Sequence, residues 1–523
     1  MIAAVWDAIG RRGPAIAGLA AAGALVAGLA LGTAVAGGPD SYCYLNQAEL
    51  FAQGRVRDPQ PIVAPAPWPN RVETAVPVGH VAAPHGEIAA VPMCPPGYPF
   101  ALAAARLVGG RPAMFWVVPI FGGLAVWCAF LLGRRLGGPH TGVMSALVFA
   151  ASPAFLYQIV QPMSDVPAVA VWTAALVAAL RPPGSAQAFA TGALAGAALL
   201  IRPNLAPLGV VMVGMVGFAA HRPSRATTIR AILFFGLGAL PSLGVIMVMQ
   251  NAMYGSPFTS GYGSLDLLFT RDHIRPNLER YPAWLVTTHT PFVALAFVAP
   301  FVLADRLART RAWWVLAFVV TTFGCYVAYT VYDAWWFLRF LLPAIPPMIV
   351  LASAVTVTWL ARLGTTSRTA AFALVTAALV VFQIVTAADR AVFRLRDLER
   401  RFRDGGEYVA RKLPPNAVVF TTQQSGSVRF YADRPTIIWD MLDPAWLDRA
   451  LDDLRARGYH PYLLFETQED QTFRQRFETT SKIGGLEWPP IARLGQEVQI
   501  FDPLDYERFR RGEKIETDYV FRR

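Results

Sequence analysis

Two aspartates lie at the edges of hydrophobic segments, where a carboxylate could take part in chemistry at a membrane surface. Asp40 follows the first such segment within the stretch 37–44, and Asp165 opens another directly before Val166 and Pro167. The carboxylate of Asp40 would lie at the lipid surface, and this position favours an enzyme that acts on a lipid-linked substrate. Aspartate is also a common helix N-cap, so both residues have a purely structural interpretation as well.

The composition indicates which kind of secondary structure positions these two aspartates. Hydrophobic residues make up 54% of the 523 positions and charged residues only 15%, against roughly 25% charged residues in soluble domains. The apolar residues form blocks of about 20, which predicts a polytopic α-helical membrane protein with about eleven transmembrane helices. The predicted spans lie near 14–36, 112–132, 140–158, 165–180, 186–201, 204–220, 229–250, 289–304, 312–331, 340–361 and 369–388.

Arginines predict the orientation, because short loops rich in arginine stay in the cytoplasm. They fall on alternate connections between the predicted spans: Arg11, Arg12, Arg134, Arg135, Arg181, Arg222, Arg225, Arg230, Arg306, Arg309, Arg311, Arg362 and Arg368. The N-terminus is therefore predicted to be cytoplasmic, and an odd number of spans puts the C-terminal domain outside. These arginines also account for much of the net charge of +11.

The transmembrane domain, 1–390, contains a long first outer loop, 37–111, which is too long to be a simple connection. Helical spacing of apolar residues from Tyr42 predicts a short helix on the membrane surface. A proline-rich stretch, 59–77, should be extended and irregular. Cys43 and Cys94 lie near the two ends of the loop, and a disulfide and two free thiols are both compatible with the sequence.

The C-terminal region, 391–523, is predicted to be a separate soluble domain on the periplasmic side. Short strands at 417–421, 436–439, 462–466 and 498–501 alternate with helices at 425–432 and 445–457, which favours a layered α/β fold. The region mixes both signs of charge, and the sequence therefore indicates no nucleic-acid partner. It contains no phosphate-binding or nucleophile motif, and we assign it no catalytic role.

Several motifs together resemble the GT-C superfamily of integral-membrane glycosyltransferases, and more closely glycosyltransferase family 39, which includes the protein O-mannosyltransferases and the lipid A aminoarabinose transferases. The order of the motifs and their predicted side of the membrane carry the resemblance. They are the acid after the first span, the surface helix, Pro95-Pro96-Gly97-Tyr98-Pro99, Gln161-Pro162-Met163-Ser164-Asp165, Ile201-Arg202-Pro203 and Arg339-Phe340-Leu341-Leu342-Pro343. Many relatives carry two adjacent acids after the first span, whereas Ser41 follows Asp40 in this chain.

The resemblance implies a hexosyl- or pentosyltransferase that takes a sugar from a polyprenyl phosphate at the outer face of the bacterial cytoplasmic membrane. Asp40 matches the family's general base, and Asp165 is the second residue to which the resemblance gives a catalytic role. Arg202 and Arg339 are the expected contacts of the lipid phosphate, because arginine presents a fork of donors that fits phosphate oxygens. A single displacement would invert the anomeric carbon, and the acceptor would be a lipid, a glycan or a protein.

Other candidates for substrate binding are Tyr42, Tyr98, Arg271 and His273. The two tyrosines could stack on sugar or lipid, although aromatic residues are common at membrane interfaces. Arg271 and His273 belong to an outer loop, about 251–288, that could cover the lipid-phosphate groove. Alternatively, the side chains of Arg202 and Arg339 could extend to lipid headgroups without binding a substrate. The sequence contains no metal-binding signature, and a divalent metal is left open as a cofactor.

Two other classes of function are compatible with many membrane spans. A polytopic lipid or sugar transporter, or a flippase, would carry internal repeats and charges in the middle of its spans. In this chain the polar residues gather at the predicted outer ends. A non-catalytic envelope assembly protein would tolerate loss of Asp40, so the activity of an Asp40→Asn variant separates it from an enzyme.

Overall fold

The structure, a computed structural model, describes residues 2–218 and 224–520, so Arg222 of the arginine pattern lies outside the described residues. The described residues up to 389 form a largely helical body. Its helices are α1 (Ile2–Leu31), α2 (Gly38–Ala52), α3 (Arg71–Thr74), α4 (Gly97–Met114), α5 (Val117–Gly137), α6 (Pro139–Ala150), α7 (Pro153–Ile159), α8 (Asp165–Ala179), α9 (Ser185–Ile201), α10 (Ala206–Gly217), α11 (Arg225–Tyr254), α12 (Leu265–Leu268), α13 (Ile274–His289), α14 (Ala299–Val302), α15 (Arg306–Tyr326), α16 (Ile345–Leu360) and α17 (Thr365–Asp389).

The predicted polytopic helical architecture is confirmed. Among the described residues, five helices are long and apolar enough to cross a membrane, or six if α6 and α7, bent by 60°, form one span. Helices α8, α9 and α10 are apolar but shorter. Ten of the predicted spans coincide with regular helices, and the number of crossings stays a prediction.

The predicted span 289–304 and the predicted outer loop 251–288 differ from the structure. The span consists of a 3-10 helix at Pro291–Phe297 followed by α14, since prolines interrupt the pattern of backbone hydrogen bonds. The loop contains the 16-residue helix α13. Its buried residues Asn277, Tyr281 and Leu285 recur every fourth position, a stripe hidden in the sequence by surrounding charges and two prolines.

The two ends of the helical body differ in charge. Arg135 lies within electrostatic reach of Arg134, Arg181 and Arg311 at one end of α5, α8 and α15. At the same end of α5, His140 stacks on Trp6 with ring centroids 3.7 Å apart. Arg339 and the two aspartates singled out above lie at the opposite end, where α2 and α8 begin. Arginines from separate connections therefore share one end, as their alternation in the sequence predicts.

The first outer loop packs between the helical body and the C-terminal region. Its strands β1 (Asp58–Pro59), β2 (His80–Ala82) and β3 (Ala89–Pro92) form a small antiparallel sheet in the order β1-β3-β2. Cys43 and Cys94 form a disulfide, with their Cα atoms 6.2 Å apart. Helix α2 occurs where a surface helix was predicted, but most of its side chains are buried.

The C-terminal region is built around one six-stranded sheet. Its strands are β4 (Ala417–Phe420), β5 (Thr436–Ile437), β6 (His460–Glu466), β7 (Ala492–Leu494), β8 (Val498–Phe501) and β9 (Asp518–Val520), in the order β5-β4-β6-β8-β7-β9. Its helices are α18 (Leu395–Lys412), α19 (Ser425–Ala432), α20 (Leu447–Ala456), α21 (Glu469–Phe477) and α22 (Leu504–Arg510). Strand β4 pairs in parallel with β5 and β6, whereas β8 runs antiparallel to β6. The predicted α/β fold is confirmed.

The proline-rich stretch of the first loop is part of the core of the C-terminal region. Val63 and Trp68 pack in one hydrophobic cluster with Phe420 and Leu463. The backbone N–H of Ile438 also donates to the carbonyl of Thr74 across 2.6 Å. The first outer loop therefore contributes to the hydrophobic core of the C-terminal region, although it precedes the proposed domain boundary at residue 390.

Candidate active site

Asp40 lies in the first turn of α2 and faces Arg339, which belongs to a 3-10 helix, Trp335–Ala344, that leads into α16. The Nη2 atom of Arg339 donates to Oδ2 of Asp40 across 2.8 Å. The Asp40 side chain is 46% exposed, while that of Arg339 is 16% exposed. This aspartate is thus held by a cation and still accessible to a second molecule.

A second ion pair is buried nearby. Asp165 begins α8, and Arg202 lies between α9 and a short 3-10 helix, Pro203–Leu205. The Nη2 atom of Arg202 donates to Oδ1 of Asp165 across 2.7 Å, and the Asp165 side chain is fully buried. Oδ2 of Asp165 has no hydrogen-bond partner among the described residues. Asp165 therefore holds Arg202 in place and has no surface to offer a substrate.

Ser164 and Tyr44 join the two ion pairs. The hydroxyl of Tyr44, one turn after Asp40 in α2, lies 2.7 Å from Oγ of Ser164. Ser164 Oγ in turn accepts a long hydrogen bond, 3.4 Å, from Nε of Arg202. The charge of Arg339 interacts with Asp165 and Arg202 as well as with Asp40. Burial raises the pKa of Tyr44 to about 12, so that its hydroxyl keeps its proton at neutral pH.

Aromatic side chains at the end of α15 form one wall of this site. Nη1 of Arg202 and Nδ2 of Asn204 lie 3.5 Å and 2.8 Å from the hydroxyl of Tyr326. Tyr326 stacks on Phe340 at 5.2 Å, and the Arg339 guanidinium lies 5.2 Å above that same ring. Both arginines are therefore fixed by aromatic neighbours in addition to their aspartates.

The loop after α11 lies over the site. The hydroxyl of Tyr254 donates to the carbonyl of Pro92 across 2.7 Å, which ties the base of the loop to strand β3. Tyr262 near the tip interacts electrostatically with Asp40 and Arg202. The loop thus brings a phenol to the region between the two ion pairs.

The structure brings together Asp40, Asp165, Arg202 and Arg339 and leaves the other candidates outside this group. Tyr42 is buried against Gly426 of α19, where even a Cβ would collide with its ring. Tyr98 is fully buried and packs edge-on against Tyr44, with ring centroids 5.0 Å apart. Arg271 is exposed, and Nδ1 of His273 lies 3.3 Å from the carbonyl oxygen of Ala328, behind the aromatic wall.

Sequence reasoning missed five residues of the site, namely Tyr44, Ser164, Asn204, Tyr262 and Tyr326. Local signals existed for three of them. Tyr44 is one helical turn from Asp40, Asn204 follows Arg202 by two positions, and Tyr326 begins a series of tyrosines spaced by three. Ser164 stands directly before Asp165 in a motif quoted above, but nothing in the motif marks the role of its side chain, and Tyr262 resembles an ordinary loop residue.

No cluster of three or more metal-ligating side chains occurs in the part of the chain that the structure describes. His80, one of the residues with a ligand-type side chain, lies 2.8 Å from Nδ2 of Asn46 through its Nε2 atom. Burial lowers the pKa of His80 to about 3, so its imidazole is neutral. Hydrogen bonding to Asn46 therefore holds the His80 ring in place.

The arrangement combines one accessible carboxylate with two guanidinium groups. Two arginines whose charges interact at the mouth of a site attract an anion, and phosphate oxygens match their donors. A carboxylate beside that anion can accept a proton from a hydroxyl group brought within hydrogen-bonding distance. The site is therefore suited to a reaction between a hydroxyl compound and a phosphate ester.

Comparisons with known proteins place this site in a recognised fold. A family described as dolichyl-phosphate-mannose-protein mannosyltransferase matches residues 94–251, a stretch from Cys94 to the last turn of α11. No curated protein matches this sequence. The family match covers the loop and helices that carry Asp165 and Arg202 but leaves out Asp40 and Arg339.

Solved structures match over almost the entire chain. ArnT from Cupriavidus metallidurans bound to undecaprenyl phosphate is similar with a TM-score of 0.58 and 13% identity, covering 92% of this chain and 97% of ArnT. The Archaeoglobus fulgidus oligosaccharyltransferase in its apo form has a TM-score of 0.57 and 11% identity, covering 91% of this chain and 74% of that protein. The same archaeal enzyme, AglB, in complex with an inhibitory peptide and a dolichol-phosphate has a TM-score of 0.53 and 11% identity, covering 90% of this chain and 72% of AglB. At this identity the similarity is one of fold. Together with the family match, it agrees with the predicted resemblance to the GT-C superfamily.

Proposed function

We propose that this chain, a multi-pass membrane protein with the fold of the GT-C glycosyltransferases, transfers a sugar from a polyprenyl-phosphate donor to a hydroxyl group of an acceptor. The observation that carries the proposal is the contact between the half-exposed carboxylate of Asp40 and the guanidinium of Arg339. It puts a proton acceptor beside a phosphate-binding cation at one end of the helical body.

Asp40 is the general base of the proposed reaction. The acceptor oxygen forms a bond to the anomeric carbon, and its proton passes to a carboxylate oxygen of Asp40. The bond between the anomeric carbon and the phosphate oxygen breaks, and the electron pair leaves on the polyprenyl phosphate. A single displacement of this kind inverts the configuration of the anomeric carbon.

Arg339 and Arg202 bind the phosphate of the donor and stabilise the charge that develops on it. Groups already oriented toward the leaving oxygen lower the barrier without reorganising during the reaction. Arg202 is oriented by the fully buried Asp165 and by Tyr326. We therefore propose that Asp165 is a positioning residue, in place of the direct catalytic role expected from the sequence.

The reaction is proposed to take place at the outer face of a bacterial cytoplasmic membrane, with the N-terminus in the cytoplasm and the C-terminal region outside. ArnT and AglB support a lipid-phosphate donor because their structures hold undecaprenyl phosphate and dolichol-phosphate. Placement of the ion pairs at an end of the helical body favours chemistry at the lipid surface over passage of a substrate through the middle of the membrane.

The proposal is tested with purified protein and a polyprenyl-phosphate sugar, measuring both sugar transfer and release of the polyprenyl phosphate. Asp40→Asn should fold and bind donor normally while transfer falls by about 10²–10⁴, the usual contribution of a general base. Asp452→Asn, which changes an exposed aspartate of α20 far from the loop over the site, is the matched control and should keep full activity. Full transfer by a well-folded Asp40→Asn protein would remove the catalytic assignment.

A further inference from the structure

A pocket lies at the arginine-rich end of the molecule, opposite the site with Asp40. It has a volume of about 220 Å³ and is formed between the ends of α8 and α10 and the beginning of α15. One side is polar, with Arg181, Arg311 and Thr310, and the other is aromatic and apolar, with Trp314 and Phe218. The rings of Trp314 and Phe218 stack at 6.4 Å. The pocket therefore combines positively charged and apolar walls.

Positive charge accumulates here beyond what the surrounding backbone neutralises. Arg311 donates to the carbonyl of Arg135 across 3.0 Å, and the side chain of Arg135 donates to the carbonyl of Val177 near the end of α8. These helix ends carry partial negative charge and hold the two arginines in place. Arg181 is exposed, and it has neither a hydrogen bond nor an ion pair from its side chain to any residue that the structure describes.

The described part of the pocket lining contains no acidic group, since none of the residues that form it is Asp or Glu. Asp305 acts on the charge of Arg311, but its carboxylate is engaged by the backbone N–H of Ala308 at 2.7 Å, where it caps α15. Nη2 of Arg311 also donates to the carbonyl of Leu180 across 3.4 Å. Arg181 and the remaining donors of Arg311 therefore face a pocket in which no described lining residue is acidic.

We propose that this pocket binds the phosphate of an anionic glycerophospholipid from the adjacent membrane leaflet. Basic pockets between membrane helices suit lipid headgroups, because guanidinium groups pair with the phosphate while apolar walls accept the start of an acyl chain. Phe218 and Leu307 are 58% and 49% exposed, so the apolar wall continues onto the outer surface of the helices. That continuity favours a lipid over free phosphate.

The test measures binding of short-chain phosphatidylglycerol, phosphatidylcholine and inorganic phosphate to the full-length protein in detergent by native mass spectrometry. Phosphatidylglycerol should bind best, and Arg181→Gln should weaken it about tenfold, as expected for loss of one charge-assisted contact. Arg309→Gln is the matched control, because Arg309 is exposed on the same helix as Arg311 but does not line the pocket. It should change the affinity less than twofold, roughly within error.

A second variant keeps the arginines and fills the space. Thr310→Trp on the exposed rim should weaken phosphatidylglycerol binding by a similar factor while every charge stays in place. Equal losses in Arg181→Gln and Arg309→Gln would show a general effect of surface charge and overturn the proposal. Equal binding of phosphatidylcholine, or equal binding of inorganic phosphate, would overturn it too, because the site would then not select an anionic lipid.

Discussion

Arg339 donates a hydrogen bond to Asp40 across 2.8 Å, although 299 positions separate the two residues in the sequence. The contact joins the start of α2, in the first outer loop, to the 3-10 turn that precedes α16. Arg202 and Asp165 repeat the relationship with a more buried pair, in which the aspartate is fully buried and the arginine is 11% exposed. The two pairs therefore have different accessibility, and the proposed chemistry assigns them different roles.

Replacement of Arg339 should weaken donor binding as well as turnover, because a phosphate contact exists before and during the reaction. Arg339→Ala is expected to weaken donor binding by about 10–100-fold, the value of a charge-assisted hydrogen bond. Arg339→Lys, which keeps the charge but loses the fork of donors, should lie between it and the native protein. Donor binding and single-turnover transfer are measured separately on each variant. A loss of turnover alone would contradict phosphate binding by Arg339.

Removal of the Asp165 charge should leave Arg202 as an unpaired cation in a buried place. Loss of one partner of a buried pair costs about 3–5 kcal/mol, so Asp165→Asn should lower the thermal midpoint clearly. Donor KM should also rise more than kcat falls, since Arg202 would no longer be oriented. The double variant Asp165→Asn with Arg202→Gln is the control, and it should be less destabilised than the sum of the single changes. Additive losses would contradict the proposed positioning of Arg202 by Asp165.

Much of the site could be predicted from sequence because local signals marked its charged residues. Asp40 and Asp165 begin helices at the edge of hydrophobic segments, and Arg202 and Arg339 each belong to short proline-containing motifs. Which acid pairs with which arginine could not be predicted, since contacts over such separations depend on how the helices pack. Local periodicity carries no record of that packing.

For a related reason, the structure brings Tyr44, and not the predicted Tyr42, next to the ion pairs. Tyr42 and Tyr44 are two positions apart in α2, so they point to different sides of the helix. Tyr42 faces α19, and Tyr44 faces Ser164. The sequence does not show that the C-terminal region covers one side of α2, because that contact depends on how the distant region packs.

The disulfide between Cys43 and Cys94 ties α2, which carries Asp40, to the segment that leads into α4. Loss of the bond should lower stability by about 2–4 kcal/mol, because the unfolded chain gains freedom. Cys43→Ser and Cys94→Ser should have similar effects on the thermal midpoint. Cys325→Ser changes a free cysteine and is the control. Mass measurement without reductant should show both thiols bonded in the native protein, and two free thiols would refute the bridge.

The stability of the C-terminal region should decrease as pH rises from about 5 to 8. Burial raises the pKa of Glu469 to about 7, and burial also raises that of Glu466. A raised pKa means that the folded state binds a proton more tightly than the unfolded state. The resulting stabilisation is complete below the unfolded pKa of about 4.5 and is lost as pH passes 7.

The change attributable to Glu469 is on the order of 1–3 kcal/mol, given about 1.4 kcal/mol for each pKa unit and partial exposure of the side chain. Its carboxylate accepts backbone N–H groups of Gln423 and Glu466 at 3.1 and 2.8 Å, and Gln at this position can still accept one of them. Glu469→Gln should therefore flatten the pH profile, measured as the thermal midpoint of tryptophan fluorescence in the full-length protein. Glu478→Gln changes an exposed glutamate after α21 and should leave the profile as it is. A native protein whose midpoint rises between pH 5 and 8 would contradict the raised pKa of Glu469.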